Sequence, residues 1–335
     1  MKRKWTLTLA LLALGTILFG TYLLVGSAPT LVGSAPTRYS EYPPAPHSNI
    51  AIGGDGDFTR VGAGSGCECV RSGVGSDIEP YVISSWVINA SGVDGISIYG
   101  TTAHFVIEGV YVYGDSSRVG IRLSDINNGR IESSSIANSF MGIHVERSSN
   151  LQFVNNSVSK STYGIQLETS DGNTLSQNRV EGASEVSIFV RGSDNVVENN
   201  EVTGGQFGGI NIDGTPGSAN KNTVEGNVVT GSLSYGIAMW RATNCVLRGN
   251  IARGNGDTGI MLTDSSNNNL IEGNTVTGNK GGGILILGES TGNTIKENTA
   301  KNNGDGVNTV DLYDASSNNI WQNNTYDTKM PESIN

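Results

Sequence analysis

The stretch NCVLRGNIARGNGDTGIMLTDSSNNNLIEGNTVTGNKGGGILIL, residues 244–287, carries the pattern that decides the fold. Gly259-Ile260-Met261-Leu262 and Gly283-Ile284-Leu285-Ile286 are two copies of Gly-Ile-x-aliphatic. Between them Ile271, Asn274 and Val276 form a second motif: an aliphatic residue, Asn three later, a small apolar residue two beyond. Outward from here the first motif recurs at Gly95-Ile96, Gly120-Ile121, Gly142-Ile143, Gly164-Ile165, Gly209-Ile210 and Gly236-Ile237, in steps of 22 to 27 residues, and Val186-Ser187-Ile188 fills the one gap. The second recurs at Phe153-Asn156, Leu175-Asn178, Val197-Asn200, Val224-Asn227, Leu247-Asn250, Ile295-Asn298 and Ile320-Asn323; Ile107 and Ile131 begin the series without the Asn. That makes ten turns.

Alternating apolar positions mean half-buried strands. A repeat this short cannot bury its own apolar face, so successive repeats must stack, each Ile on the Ile below. Parallel stacking at ~4.8 Å per turn gives a rod of roughly 48 Å over residues 79–326. The recurring Asn sits at a bend, where it tolerates left-handed backbone and where stacked amides can hydrogen-bond along the axis. The expected ladder runs from Asn156 to Asn323. The fold class is an all-β parallel helix.

Composition agrees. The 335 residues include 46 Gly and 35 Asn, with 7% aromatics and 16% charged residues. Gly is poor inside helices, whereas Asn and Gly suit turns between short strands. The net charge is −10; without Lys2, Arg3 and Lys4 it is 18 − 31 = −13. An acidic body repels phosphate backbones, which sets nucleic acid aside as a partner.

Lys2-Arg3-Lys4 precedes an uncharged run from Trp5 to Val25, 21 residues, long enough to cross a bilayer. The basic flank puts the N-terminus inside and the body outside. Residues 1–25 are therefore expected to be a membrane anchor, with a cleaved signal as the rival. LVGSAPT follows twice, at 24–30 and 31–37, and Pro43, Pro44 and Pro46 come next, so 26–47 is expected to be an extended linker. Residues 48–78 are expected to cap the start, with Ile50 and Ile52 as a short strand and Phe58 over the core. The tail 327–335 is expected to fold over the last turn with Trp321 or Tyr326 as lid. That end is then the expected site of end-to-end contact with another protein.

In the first strand of each turn, one residue between two core positions faces outward: Ser97, Arg122, His144, Gln166, Ser187, Asn211, Ala238, Met261 and Leu285. Arg122, His144 and Gln166 fall on three adjacent turns, with Asp125, Glu146 and Glu168 just beyond. Stacked carboxylates suit a hard cation such as Ca²⁺, and Arg122 or His144 suits the base of a lyase. The competing explanation is a solvated face on a rod that must be soluble. Asn89, Asn155 and Asn323 begin glycosylation sequons.

The pattern resembles the right-handed parallel β-helix repeat proteins, in particular the NosD-type periplasmic group and its carbohydrate-binding and sugar-hydrolase relatives. The opening Pro80-Tyr81-Val82-Ile83, Trp86, Ile88-Asn89-Ala90 and His104-Phe105-Val106-Ile107 resembles the opening turns of archaeal members. The resemblance implies right-handedness and, for enzymes of this architecture, polysaccharide substrates in a groove along an outer strand face. The Asp-Pro-His-Asp stretch expected of such enzymes does not occur. The sequence therefore favours a scaffold or carbohydrate-binding module, with a polysaccharide lyase, hydrolase or epimerase as the alternative. The NosD likeness implies a third role, in maturation of a copper enzyme. Copper asks for His, Met and thiolate ligands. Three His and five Met are few, and Cys67-Glu68-Cys69 is the one soft-ligand pair. These cysteines are otherwise expected as a disulfide, free thiols or cap packing, and copper is disfavoured.

Overall fold

The computed structural model describes residues 44–59, 67–215, 217, 219–304 and 309–334. The anchor or signal at 1–25 and most of the linker lie outside these residues. Among the described residues no helix is long and apolar enough to cross a membrane.

The chain winds as a right-handed parallel β-helix with three faces, each a sheet of twelve strands. Sheet 1 runs from Ile50–Gly53 to Lys329–Met330 and holds the longest strands, such as Met141–Glu146 and Tyr163–Glu168. Sheet 2 runs from Val70–Ser72 to Ile320–Gln322, and sheet 3 from Ala45–His47 to Thr325–Tyr326. The ten expected turns are present. The eight Ile of the Gly-Ile motif all lie in sheet 1 and are fully buried. They are in direct register: Ile96 on Ile121, Ile121 on Ile143, Ile143 on Ile165, then through Ile188 to Ile210, Ile237, Ile260 and Ile284. The glycine is required by close approach. A Cβ on Gly142 would lie 2.3 Å from Val158 Cγ1 and 2.7 Å from the Gly164 carbonyl.

The Asn ladder exists, and each interior carboxamide is saturated. Asn178 Oδ1 accepts from both the backbone N–H and Nδ2 of Asn156 (3.0 Å each), while Asn178 Nδ2 donates to Phe153 O (2.8 Å) and Asn200 Oδ1 (3.0 Å). This repeats through Asn227, Asn250, Asn274 and Asn298. Its last rung is Asn324, not Asn323. Trp321, not Ile320, pairs with Ile295 in the core, which moves the motif by one residue. The left-handed backbone also belongs to the residue before each rung, as at Asn155 (φ 55°), Asn199 (φ 53°) and Asn323 (φ 53°). The rung itself turns inward.

Two further ladders follow the same chemistry at the other corners. One joins Asn173, Asn195 and Asn222, then Asn269, Asn293 and Asn319. The other joins Asn255, Asn279 and Asn303, and ends on the buried Asp311. Cys245 stands in the gap between Asn222 and Asn269. Its backbone N–H donates to Asn269 Oδ1 (2.8 Å), but its thiol makes only long contacts, to Thr243 O (3.4 Å) and Ala219 O (3.6 Å), and burial pushes its pKa up to about 11.

The sheets begin earlier than residue 79. Ala45–His47 pairs with Trp86–Ile88, and Ile50–Gly53 with Ile96–Tyr99, because Ile50-Ala51-Ile52 repeats the Ile96-Ser97-Ile98 alternation. Pro46 is tolerated because its strand is an edge. The last residues of the expected linker, Ala45–His47, thus form a strand, and the expected cap segment supplies strands as well as a cover. The cover itself is the 3-10 turn Asp55–Phe58. Phe58 is buried, stacked 4.6 Å from Tyr81, and the Asp55 carboxylate accepts from the Thr101 hydroxyl and the backbone N–H of Thr102 and Ala103. At the other end the tail does fold over the last turn. Lys329–Met330 adds a strand to sheet 1, and Ile334 is 2% exposed. Ile334 is thus the plug, while Trp321 belongs to the last rung and donates from Nε1 to Asp314 (2.8 Å).

Two stability outcomes follow. Ile165→Asp buries a charge with no partner and should cost at least about 4 kcal/mol, read as a lower urea midpoint. Cys245→Asn should complete the interrupted ladder and stabilise the rod by about 1 kcal/mol; an unchanged or lower midpoint would show that the gap does not want an amide.

Candidate functional site

Sheet 1 has the longest strands, and its outer face carries two rows of side chains. Cα pairing places Arg122, His144, Gln166, Phe189 and Asn211 in one row. Glu146, Glu168 and Arg191 lie in the second row, continued by Asp213 and Trp240. Ser187, expected to face out, does not. It occupies the glycine column, fully buried, with Oγ donating to Gly204 O (3.0 Å), and Phe189 takes the outward place. Val186, Ile188 and Val190 are all apolar at alternate positions, so either Ser187 or Phe189 can be read as the residue between two core positions.

Arg122, His144 and Gln166 come together as expected. Arg122 Nε donates to Asp94 Oδ2 (2.8 Å), and its Nη1 lies 3.1 Å from His144 Nδ1. A guanidinium can only donate, so Nδ1 accepts and the imidazole proton sits on Nε2. Burial, reinforced by the Arg122 charge, lowers the pKa of His144 and keeps it neutral. His144 Nε2 is 3.8 Å from Glu168 Oε2, outside hydrogen-bond range. Glu168 instead accepts from Gln166 Nε2 (2.8 Å) and lies 3.8 Å from Arg191 Nη1, whose Nη2 donates to Asp213 (2.9 Å). Charges thus alternate along the axis: Asp94, Arg122, neutral His144, Glu168, Arg191, Asp213.

The three carboxylates proposed as a cation site do not share one ligand sphere. Arg147 forks onto Asp125 (2.7 and 2.8 Å) and also contacts Glu146, and its hydrogen bond lowers the pKa of Asp125. Among the described residues no group of three or more His, Cys, Asp or Glu is arranged to hold a metal ion. Cys67 and Cys69 are joined in a disulfide, a form that offers no thiolate. The sequon residues Asn89, Asn155 and Asn323 are all exposed.

Buried polar atoms in folded proteins nearly always find a partner, so exceptions need an explanation. Among the described residues five side-chain atoms are buried without a protein partner, and four of them lie on this face: His144 Nε2, Gln166 Oε1, Arg191 Nε and Asn211 Oδ1. They come from four consecutive strands of sheet 1. His144, Gln166 and Asn211 are 6%, 7% and 5% exposed. Two of the four atoms are donors and two are acceptors. Asn211 is also given its space: a Cβ on Gly208 would lie 2.3 Å from its Oδ1. Aromatic surface runs alongside. Phe189 is half-buried with the Arg191 guanidinium 5.0 Å from its ring centre. The Tyr235 and Trp240 rings meet edge-on at 5.9 Å, either side of the small Ala238. A depression of about 340 Å³ opens at the strand ends beside this band, bounded by Thr169, Asp171, Arg191, Ser193, Asp213 and Thr215.

The family described as right handed beta helix region matches residues 94–241 and 163–326, and the chain belongs to it. No curated protein matches the chain by sequence. Among solved structures, a periplasmic alginate epimerase is similar at TM-score 0.59 and 13% identity, over 74% of this chain and 78% of that one. The A-module of a mannuronan C-5 epimerase from Azotobacter vinelandii is similar at TM-score 0.52 and 12% identity, over 74% and 83%. The Dettilon tailspike protein is similar at TM-score 0.54 and 14% identity, over 71% and 60%. At these identities the likeness is one of fold.

His144 yields a pH prediction. Its folded pKa lies below the ordinary value of about 6.5, so the unfolded chain binds the proton more readily. Its contribution to stability is whole above about pH 6.5 and is lost as pH falls through the folded pKa. His144→Asn should flatten the fall in urea midpoint on acidification below that pH; an unchanged slope would mean His144 is not held neutral.

Proposed function

We propose that this chain binds a polysaccharide lengthwise along the outer face of sheet 1, in the band from His144 to Asp213. The observation that carries the reading is the line of four buried, unpaired polar atoms on consecutive strands. A sugar hydroxyl both donates and accepts, so one class of ligand answers His144 Nε2 and Arg191 Nε as well as Gln166 Oε1 and Asn211 Oδ1. Stacked strands repeat every ~4.8 Å, close to the length of one hexose unit, so an extended glycan keeps pace with the coils. Phe189 and Trp240 supply flat apolar surface for the C–H faces of sugar rings. The fold neighbours are compatible with this reading, since two are named as epimerases of alginate or mannuronan.

Binding is preferred to bond-breaking chemistry on the same face because a base needs a free lone pair, and that of His144 Nδ1 is directed at Arg122. The proposal also sets the body outside the cytoplasm, on the strength of the Lys2-Arg3-Lys4 flank before the uncharged run 5–25.

The test is a glycan array probed with the full chain, followed by affinity measurement on the strongest binder. His144→Ala and Phe189→Ala should each weaken binding by about tenfold, the loss of roughly one good contact. Variants that bind like the parent would remove this face from the function. Incubating the same glycan with the chain, with and without Ca²⁺, covers the enzymatic alternative: new reducing ends, unsaturated ends or changed sugar configuration would overturn the binding-only reading.

A further inference from the structure

We infer that the polysaccharide accepted by this face is a neutral one, built of hexoses without carboxylate or sulfate groups. The inference rests on the glycan-binding reading above and adds the class of ligand.

The first argument is the polarity of the unpaired atoms. Gln166 Oε1 and Asn211 Oδ1 are acceptors, and each is left without a donor within the protein. An ionised carboxylate or sulfate has only acceptors to offer, so it would face these oxygens without a bond. A hydroxyl satisfies them. The orientation of Gln166 is set by Glu168, which takes its Nε2–H₂ (2.8 Å), so the amide oxygen is the end left for a ligand.

The second argument is that the forks of Arg122, Arg147 and Arg191 are already engaged. Recognition of a carboxylate favours an arginine with its fork free, so that two parallel N–H groups reach both oxygens. Arg122 is held by Asp94 and directed at His144, Arg147 forks onto Asp125, and Arg191 reaches Asp213. His144 adds no charge. Four guanidinium groups, Arg241 included, stand beside Asp94, Asp125, Glu146, Glu168 and Asp213, a balance of 4 − 5 = −1 on this strip, within a chain of net charge −10. An anionic glycan laid here meets a like-charged surface, and like charges brought together count against a wrong partner. Phe189 and Trp240, by contrast, favour the uncharged C–H face of a hexose.

Titration calorimetry with the full chain separates the possibilities. The probes are cello-, manno- and galacto-hexaose on one side and the hexamers of galacturonate and mannuronate on the other, each at low and high salt. The expected result is that at least one neutral hexaose binds about tenfold or more tightly than either uronate, with affinity independent of salt. Asn211→Ala should weaken that binding by about tenfold. Gly208→Ala, whose new methyl would displace the Asn211 carboxamide, should weaken it in the same direction without removing any polar side chain. Asp213→Asn releases Arg191 and should narrow the preference for neutral over uronate chains. Tightest binding to a uronate, with affinity falling as salt rises, overturns the neutral-glycan inference but leaves glycan binding standing. Binding of neither class overturns the glycan-binding reading itself. Far-UV circular dichroism of each variant, matching the parent, keeps a folding defect from passing as either outcome.

Discussion

At the corners of this solenoid the chain must turn while its backbone is buried, and asparagine carboxamides resolve that conflict by bonding from coil to coil. A buried amide N–H or carbonyl without a partner costs about 1–3 kcal/mol, and each turn would otherwise leave some. In the first ladder each interior rung accepts twice and donates twice, as at Asn178 and Asn200. This satisfies the corner and fixes the register of one coil on the next. The Ile column of sheet 1 then stacks because the corners are in step. The outer face inherits the same register, which is why residues 22 positions apart, such as Arg122 and His144, are neighbours.

Much of this was legible in the sequence. Gly-Ile marks sheet 1, and the Asn three residues after an aliphatic marks a ladder. One further signal lies in the spacing of asparagine. Asn also recurs at intervals of five, as at Asn269, Asn274 and Asn279 or Asn293, Asn298 and Asn303, and each interval steps from one corner to the next. That spacing encodes all three ladders. At the last rung the local sequence is degenerate: Ile320 and Trp321 are both apolar and Asn323 and Asn324 are both Asn, so a one-residue slip reads equally well until the Trp321–Ile295 pairing decides it. Val186–Val190 hides Phe189 for the same reason.

The site was legible only as a row. Strand register alone brings Arg122, His144 and Gln166 together. It does not say that Arg122 turns toward Asp94, that Arg147 gathers Asp125 and Glu146, or that Arg191 and Asp213 extend the charge sequence by two coils. Those are matters of side-chain torsion, and a repeat pattern carries no information about them. The same holds for the four unpaired atoms. A polar face of a soluble rod normally points its polar atoms at water. Here His144, Gln166 and Asn211 are packed nearly as deeply as the core while their reactive ends stay unmet. That contrast, more than the presence of polar residues, distinguishes this face from sheets 2 and 3.

The most direct measurement of the central claim is a crystal structure of the full chain with a bound neutral hexasaccharide. The account predicts the sugar lying along the axis of sheet 1, with hydroxyl oxygens within hydrogen-bond distance of His144 Nε2, Gln166 Oε1 and Asn211 Oδ1 and a ring over Phe189. A sugar seated on sheet 2 or sheet 3, with those three atoms still unpaired, would contradict it.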